Sequence, residues 1–205
     1  MADKRLESYS EDLLDVLNEI SNIGTGNAVT ALSQMMDTDI EIEVPVTCTV
    51  DFETMANLMG GKERTVVAVL INLKEGIDGM MMLIMDRQSA NLIINGVQKR
   101  PLDHEIEEYS EMDISALTEV GNIMAGSYLN AISKFSGITI RPGVPQCAID
   151  MAGAIMEIPV MLYGEQCDNA LLIHSKAKSP HWATEGYFLL IPTLDSVEKL
   201  YNALG

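Results

Sequence analysis

Asp15, Glu19 and Asn22 fall at i, i+4 and i+7, a spacing that puts all three on one face of a helix. Ser115, Glu119 and Asn122 repeat the arrangement, and a proline stands 23 residues after each asparagine, at Pro45 and Pro145. An asparagine amide both donates and accepts hydrogen bonds, so it can hold a water in line with an electrophile. A carboxylate one turn away can pair with a partner's lysine and fix the docking. Such a pair contains no strong nucleophile and no base that titrates near neutrality. Its chemistry suits a protein that completes an active site carried by another molecule.

Acidic exposed helix faces are common, and one copy of this pattern would read as a solvated surface. The repetition argues otherwise. Set against itself at an offset of 100, segment 10–45 matches segment 110–145 at 12 of 36 positions without a gap. Chance would give about two, with each residue type near one in twenty. The matches are Ser10, Glu11, Leu17, Glu19, Asn22, Ile23, Gly26, Ala31, Ser33, Ile40, Val44 and Pro45, each with its counterpart 100 positions on. A solvated face drifts while keeping its polarity, whereas this one keeps the same Glu and Asn. Asparagine is also a poor helix former, so helix stability does not explain its retention.

Other chemistries lack their residues. His104, His174 and His181 fit no zinc spacing, and His174 reads as a satisfied interior or edge histidine in an apolar strand. Gly24-Thr25-Gly26-Asn27 lacks the Lys-Ser/Thr of a phosphate loop, and no Gly-x-Ser-x-Gly elbow is present. Trp182 reads as a partly covered loop residue, and Met80, Met81, Met82 and Met85 as core filling. The net charge of −17 on 205 residues argues against binding nucleic acid or an anionic membrane surface. The longest apolar runs, such as Gly79 to Met85, are far short of the roughly 20 residues of a membrane helix. Cys48, Cys147 and Cys167 are an odd number without Cys-x-x-Cys spacing and read as reduced and buried. With a polar N-terminus that resembles no signal peptide, they point to a cytoplasmic chain.

The elements that must position the two faces follow from local patterns. Ser10 and Ser110 read as helix N-caps with acidic first turns, and Ser110 with Asp113 resembles a capping box. Leu13, Val16, Leu17, Ile20 and Ile23 form an apolar stripe in the first helix, and Ile114, Leu117, Val120 and Ile123 one in the second. Gly24, Gly26 and Gly126 predict a break or bend, with second helical stretches at 27–36 and 127–135. Strands are expected at Ile40–Val44, Thr65–Leu73, Gly79–Met85, Ala154–Tyr163, Ala170–His174 and Tyr187–Ile191. Helices at 88–97 and 195–204 close two repeats, 10–97 and 110–205, joined by a connector at 98–109.

These residues resemble a known family. Asp15-x-x-x-Glu19-x-x-Asn22 to Pro45, and Ser115-x-x-x-Glu119-x-x-Asn122 to Pro145, are similar to the signature of the CheC, CheX and FliY chemotaxis phosphatases. Two copies in this length resemble the CheC type, since CheX carries one copy and FliY an additional switch domain. The resemblance implies one α/β domain over 1–205 with pseudo-two-fold symmetry, its mixed β-sheet packed on one side against long helices. It further implies removal of the aspartyl phosphate of phosphorylated CheY. Asn22 and Asn122 would position the attacking water, and Glu19 and Glu119 would pair with a CheY lysine. The Mg²⁺ would belong to CheY, and this chain would need no cofactor of its own. The segment Ala148–Ala154, centred on Asp150, resembles the region that binds the receptor deamidase CheD. A non-catalytic adaptor for CheY and CheD, or a structural part of the flagellar switch, are the competing readings; the water-holding amides of Asn22 and Asn122 weigh against the first, and the lack of room for a switch domain against the second.

Overall fold

The computed structural model describes residues 11–43, 45–163, 169–179 and 182–204. Ser10, Val44, Cys167 and His181 lie outside them. The first half runs α1 (Glu11–Met36), β1 (Glu41–Ile42), β2 (Val46–Asp51), α2 (Phe52–Leu58), β3 (Thr65–Glu75), β4 (Ile77–Asp86) and α3 (Arg87–Val97). The second runs α4 (Glu111–Ser136), β5 (Arg141–Pro142), β6 (Gln146–Met151), α5 (Ala152–Tyr163), β7 (Asn169–Lys178), β8 (Ala183–Pro192) and α6 (Leu194–Leu204). The order of element types is therefore the same in both halves.

The eight strands form one sheet in the order β1-β7-β8-β4-β3-β5, with β2 also on β7 and β6 also on β3. Exchanging the halves maps this pairing pattern onto itself. The mixed sheet expected from the family resemblance is not what forms: every pairing among the described residues is antiparallel. The local reason is the tight connection between the long strands β3 and β4, whose last paired residues are Glu75 and Ile77. Parallel neighbours would need a crossover of a dozen residues or so.

Successive side chains on the central strands feed opposite cores. Val67, Val69, Ile71 and Leu73 of β3 and Met81, Leu83 and Met85 of β4 face a core shared with Leu17 and Ile20 of α1, Leu117 and Val120 of α4, and α3 and α6. Val66, Ala68 and Leu70, with Met80, Met82 and Ile84, face a second core closed by Met55 of α2 and Ile155 of α5. The sheet is thus covered on both faces, not only on the side of the long helices, because its central strands are apolar at consecutive positions, Val66 to Ile71 on β3 and Met80 to Met85 on β4, and leave no face for water. The four strand methionines fill core space as expected, each at 2% exposure or less.

Two expectations about elements fail. Ala154–Tyr163 belongs to a helix, not a strand. Its run is apolar but for Glu157 and suits either period, yet Ala152, Ile155, Met156 and Pro159 are buried at i, i+3, i+4 and i+7, which only a helix can satisfy. The leading helices do not break at their glycines: α1 and α4 each continue for 26 residues. The termini differ from the bodies in how they are held. Both long helices end on a left-handed residue, Asp37 at φ +51° and Gly137 at φ +71°, as helix C-termini often do. The predicted capping box of α4 forms, with the Ser110 side chain accepting from Asp113 N–H and Asp113 accepting from Ser110 N–H.

Candidate functional site

The glycines that suggested a break are packing positions. A Cβ on Gly24 would lie 2.8 Å from Tyr128 Cδ1 and 3.1 Å from Tyr128 Cα, so α1 and α4 cross here at close range. Next to this crossing Thr25 Oγ1 and Tyr128 OH share a buried hydrogen bond of 2.6 Å. Burial, only partly offset by that bond, pushes the Tyr128 hydroxyl up to about 12. A Cβ on Gly121 would meet Val69 Cγ1 at 2.6 Å, which seats α4 tightly on β3. Both long helices are thereby fixed to each other and to the sheet.

On this platform the candidate residues point outward. Asp15, Glu19 and Asn22 on α1 are exposed, as are Ser115, Glu119 and Asn122 on α4. No hydrogen bond or ion pair to a described residue engages the side chains of either Glu-Asn pair. The flanking positions on each helix are buried: Leu17, Ile20 and Ser21 beside the first pair, Leu117, Val120 and Gly121 beside the second. In the expected apolar stripes, Ile114 departs from this pattern and is exposed.

The two prolines start the strands beneath the helices. Pro45 is buried and immediately precedes β2, whose Thr47 hydroxyl donates to Ser21 Oγ at 3.3 Å, one residue before Asn22. Pro145 is half-buried and immediately precedes β6, where Cys147 packs against the helix-side core. The proline therefore sits where the chain turns from a loop into the strand that supports the motif helix.

The second helix has an additional anchor. Asp113 is 2% exposed and accepts from Arg100 Nη1 at 2.8 Å and Gln98 Nε2 at 3.0 Å. Burial pushes its carboxyl up, but the Ser110 hydroxyl and backbone N–H and the Arg100 guanidinium outweigh that, and the net effect lowers it. The connector is thereby tied to the start of α4.

Asp150 lies apart from both pairs. It is exposed on β6, paired with Val66 of β3, and its Oδ1 accepts from the N–H of Met151 at 2.7 Å, just before α5. Its neighbours on β6, Ile149 and Met151, are 40% and 48% exposed.

The remaining singled-out residues have structural partners. His174 Nε2 contacts Glu185 Oε1 and its ring stacks on Tyr187 with centroids 5.0 Å apart, so it is a satisfied histidine on a strand paired on both sides. Trp182 is half-buried against the helix-side core. Cys48 is exposed and Cys147 half-buried, so the expectation of buried cysteines fails at Cys48, which alternates outward on β2. No helix among the described residues is long and apolar enough to cross a membrane. Among the same residues no group of three or more His, Cys, Asp or Glu could hold a metal ion.

Comparison with known proteins agrees with this geometry. The model of the CheC-like family matches residues 14–48 and 112–148, the two segments that run from each Glu-x-x-Asn pair to its proline. The CheY-P phosphatase CheC of Bacillus subtilis (strain 168) is 31% identical over 199 residues, 95% of each chain. A putative CheY-P phosphatase of Halobacterium salinarum is 24% identical, over 93% of this chain and 95% of its own. In structure, Thermotoga maritima FliY overlays with a TM-score of 0.79 at 24% identity, covering 96% of this chain and 97% of that one. The FliM middle domain from H. pylori gives 0.71 at 12% identity, covering 95% and 99%. The architecture is thus one shared with FliY and with the FliM middle domain. This chain belongs to the CheC-like family.

Proposed function

We propose that this chain hydrolyses the aspartyl phosphate of a phosphorylated CheY-type response regulator, with Glu19–Asn22 and Glu119–Asn122 as two separate sites. The observation that carries the reading is the state of these pairs: exposed, without a partner among the described residues, and mounted on helices that the Gly24–Tyr128 crossing and the Gly121–Val69 contact seat closely on each other and on the sheet. A side chain kept for stability would have a partner; these are directed at solvent. Family membership, and alignment over 95% of the chain with a CheY-P phosphatase, support the same reading. The fold alone does not choose between enzyme and switch component, because function resides in the residues mounted on it.

In the proposed reaction the regulator brings the acyl phosphate and its Mg²⁺, which offsets charge on the phosphoryl oxygens. The carboxylate of Glu19 or Glu119 pairs with a lysine beside the phosphoaspartate and sets the docking register. The amide of Asn22 or Asn122 accepts from a water and orients it in line with phosphorus. Water attacks, the bond from phosphorus to the aspartyl oxygen breaks, and inorganic phosphate and a free aspartate leave. The Asp15 and Ser115 positions extend the same exposed faces. The site of action would be the cytoplasm.

The decisive experiment is phosphate release from purified phosphorylated CheY with and without this chain. Accelerated release that disappears in the quadruple Glu19→Lys, Glu119→Lys, Asn22→Ala, Asn122→Ala variant is expected. No acceleration by the wild type overturns the reading and favours a docking role.

The segment around Asp150 supports a further partner, the receptor deamidase CheD. An exposed carboxylate flanked along β6 by the exposed Ile149 and Met151 offers an apolar contact with one fixed charge, as protein interfaces commonly do.

A further inference from the structure

Four glycines interrupt the two long helices between Asn22 and the end of the second motif region, and they divide into two kinds. Gly24 and Gly121 are explained by contacts: a Cβ at either would collide with Tyr128 or Val69. Gly26 and Gly126 are not. A Cβ at either position would meet nothing within 4 Å. Both have ordinary helical backbone, since neither is among the residues with positive φ. Glycine is among the poorest helix formers, and alanine at either site would favour the helix without touching any part of this molecule. Yet the same glycine stands at the same place in both repeats, four residues beyond each asparagine.

Their direction is the informative part. With about 100° per residue and Asp15 at zero, Glu19 lies at about +40°, Asn22 at about −20° and Gly26 at about +20°. Gly26 is therefore centred on the stripe that Glu19 and Asn22 define, about 6 Å further along the axis from Asn22 at 1.5 Å per residue. Gly126 has the same relation to Glu119 and Asn122. Beyond Gly26 the next side chain on this face, Thr30, turns back and donates to the Gly26 carbonyl at 3.0 Å, so it too stays close to the helix.

We infer that Gly26 and Gly126 are clearance positions of the two sites: each leaves a bare stretch of helix over which the backbone of the docked phosphorylated regulator passes, so that the neighbouring Asn reaches the phosphoryl group. This rests on the proposed function. The glycines are positioning residues, since they act by letting the partner approach and not by touching the reacting atoms. A Cβ there holds the partner off the helix. Its cost appears in affinity, because the complex must form further out or tilt.

The test is the double variant Gly26→Ala, Gly126→Ala, with a larger pair, Gly26→Leu, Gly126→Leu, as the stronger obstruction. Three quantities are read: the thermal midpoint, the KM and kcat of phosphate release from phosphorylated CheY, and the Kd for CheY activated with beryllofluoride and Mg²⁺. The alanine pair is expected to raise the midpoint, because it replaces unfavourable helical glycine. It is expected at the same time to raise KM and Kd about tenfold, with the leucine pair weaker still. A protein made more stable and a poorer binder by one added methyl per site is an outcome that a merely structural glycine does not give. Unchanged KM and Kd in both pairs, with the wild type active, overturns the inference and leaves the proposed function standing. A wild type that binds the regulator without turnover overturns the proposed reaction, and the Kd of the variants then decides the clearance role alone. A wild type that neither binds nor hydrolyses overturns both, and an alanine pair whose affinity falls only because a dimer of this chain dissociates, read by light scattering, overturns the clearance role alone.

Discussion

At the level of single residues, the proposed division of labour makes separable demands. Asn22 and Asn122 hold the attacking water, so their loss belongs in turnover more than in affinity. Asn22→Ala with Asn122→Ala is expected to lower kcat for phosphate release about 10²-fold, roughly 3 kcal/mol of barrier, while regulator binding persists. Each single variant keeps what the other site contributes. Glu19→Lys with Glu119→Lys acts in the opposite sense, abolishing binding by placing a lysine against the partner's lysine. A double asparagine variant with wild-type phosphate release in a steady-state assay would show that the water is held elsewhere. Neither glutamate nor asparagine has a partner to lose among the described residues, so these four substitutions should leave the thermal midpoint within a degree or so of wild type.

At the level of elements, the crossing of α1 and α4 and the start of α4 carry the stability that keeps the faces in place. Gly24→Ala drives a methyl towards the Tyr128 ring and backbone, and should destabilise by about 1–2 kcal/mol despite alanine's better helix propensity. It is the mirror image of Gly26→Ala two residues away, which should stabilise; denaturant titration of the two variants side by side checks both. Tyr128→Phe leaves Thr25 Oγ1 buried without its partner and should cost about 1–2 kcal/mol. Asp113 gives a pH signature. Its pKa is lowered in the folded chain from the ordinary 3.8, so it stabilises the fold above that value and the contribution is lost as pH falls through the folded pKa. Asp113→Asn should therefore be less stable than wild type by about 2 kcal/mol at neutral pH, with the gap closing below about pH 4. A gap that persists at low pH would mean that the Arg100 pair is not its origin.

For the molecule as a whole, the two candidate sites share one sheet, while Asp150, two residues beyond Ala148 of the second core, lies on the face of β6 turned away from the motif helices. Separation predicts independence: Asp150→Lys should weaken CheD binding in a direct titration by tenfold or more and leave basal phosphate release within about twofold. Unchanged CheD affinity would remove that partner from the proposal. The identical order of elements and the self-mapping strand pairing also lead to an expectation for an experimental structure: segment 10–97 should superpose on 110–205 with Glu19 and Asn22 falling on Glu119 and Asn122. Failure of that superposition would leave two similar helices without a duplicated unit.

What the chain by itself determined is whatever repeats or alternates over short range. The Glu-x-x-Asn faces, their prolines, the Ser110–Asp113 cap, the closing helices and the long central strands were all legible, because period and spacing are properties of neighbours in sequence. Three things were decided only in the fold. Glycine reads locally as a helix breaker, but at Gly24 and Gly121 the close approach of Tyr128 and Val69 outweighs its intrinsic cost, and both helices run straight through. The run after Ala152, apolar but for Glu157, satisfies strand and helix periods alike, and only the need to cover the second face of the sheet selects the helix. Asp113 looks like a surface cap until Arg100, arriving from the connector, buries it as an ion pair. Each of these turns on a contact between residues distant in the chain or on a face that some other element must cover, and no local pattern records what will arrive there.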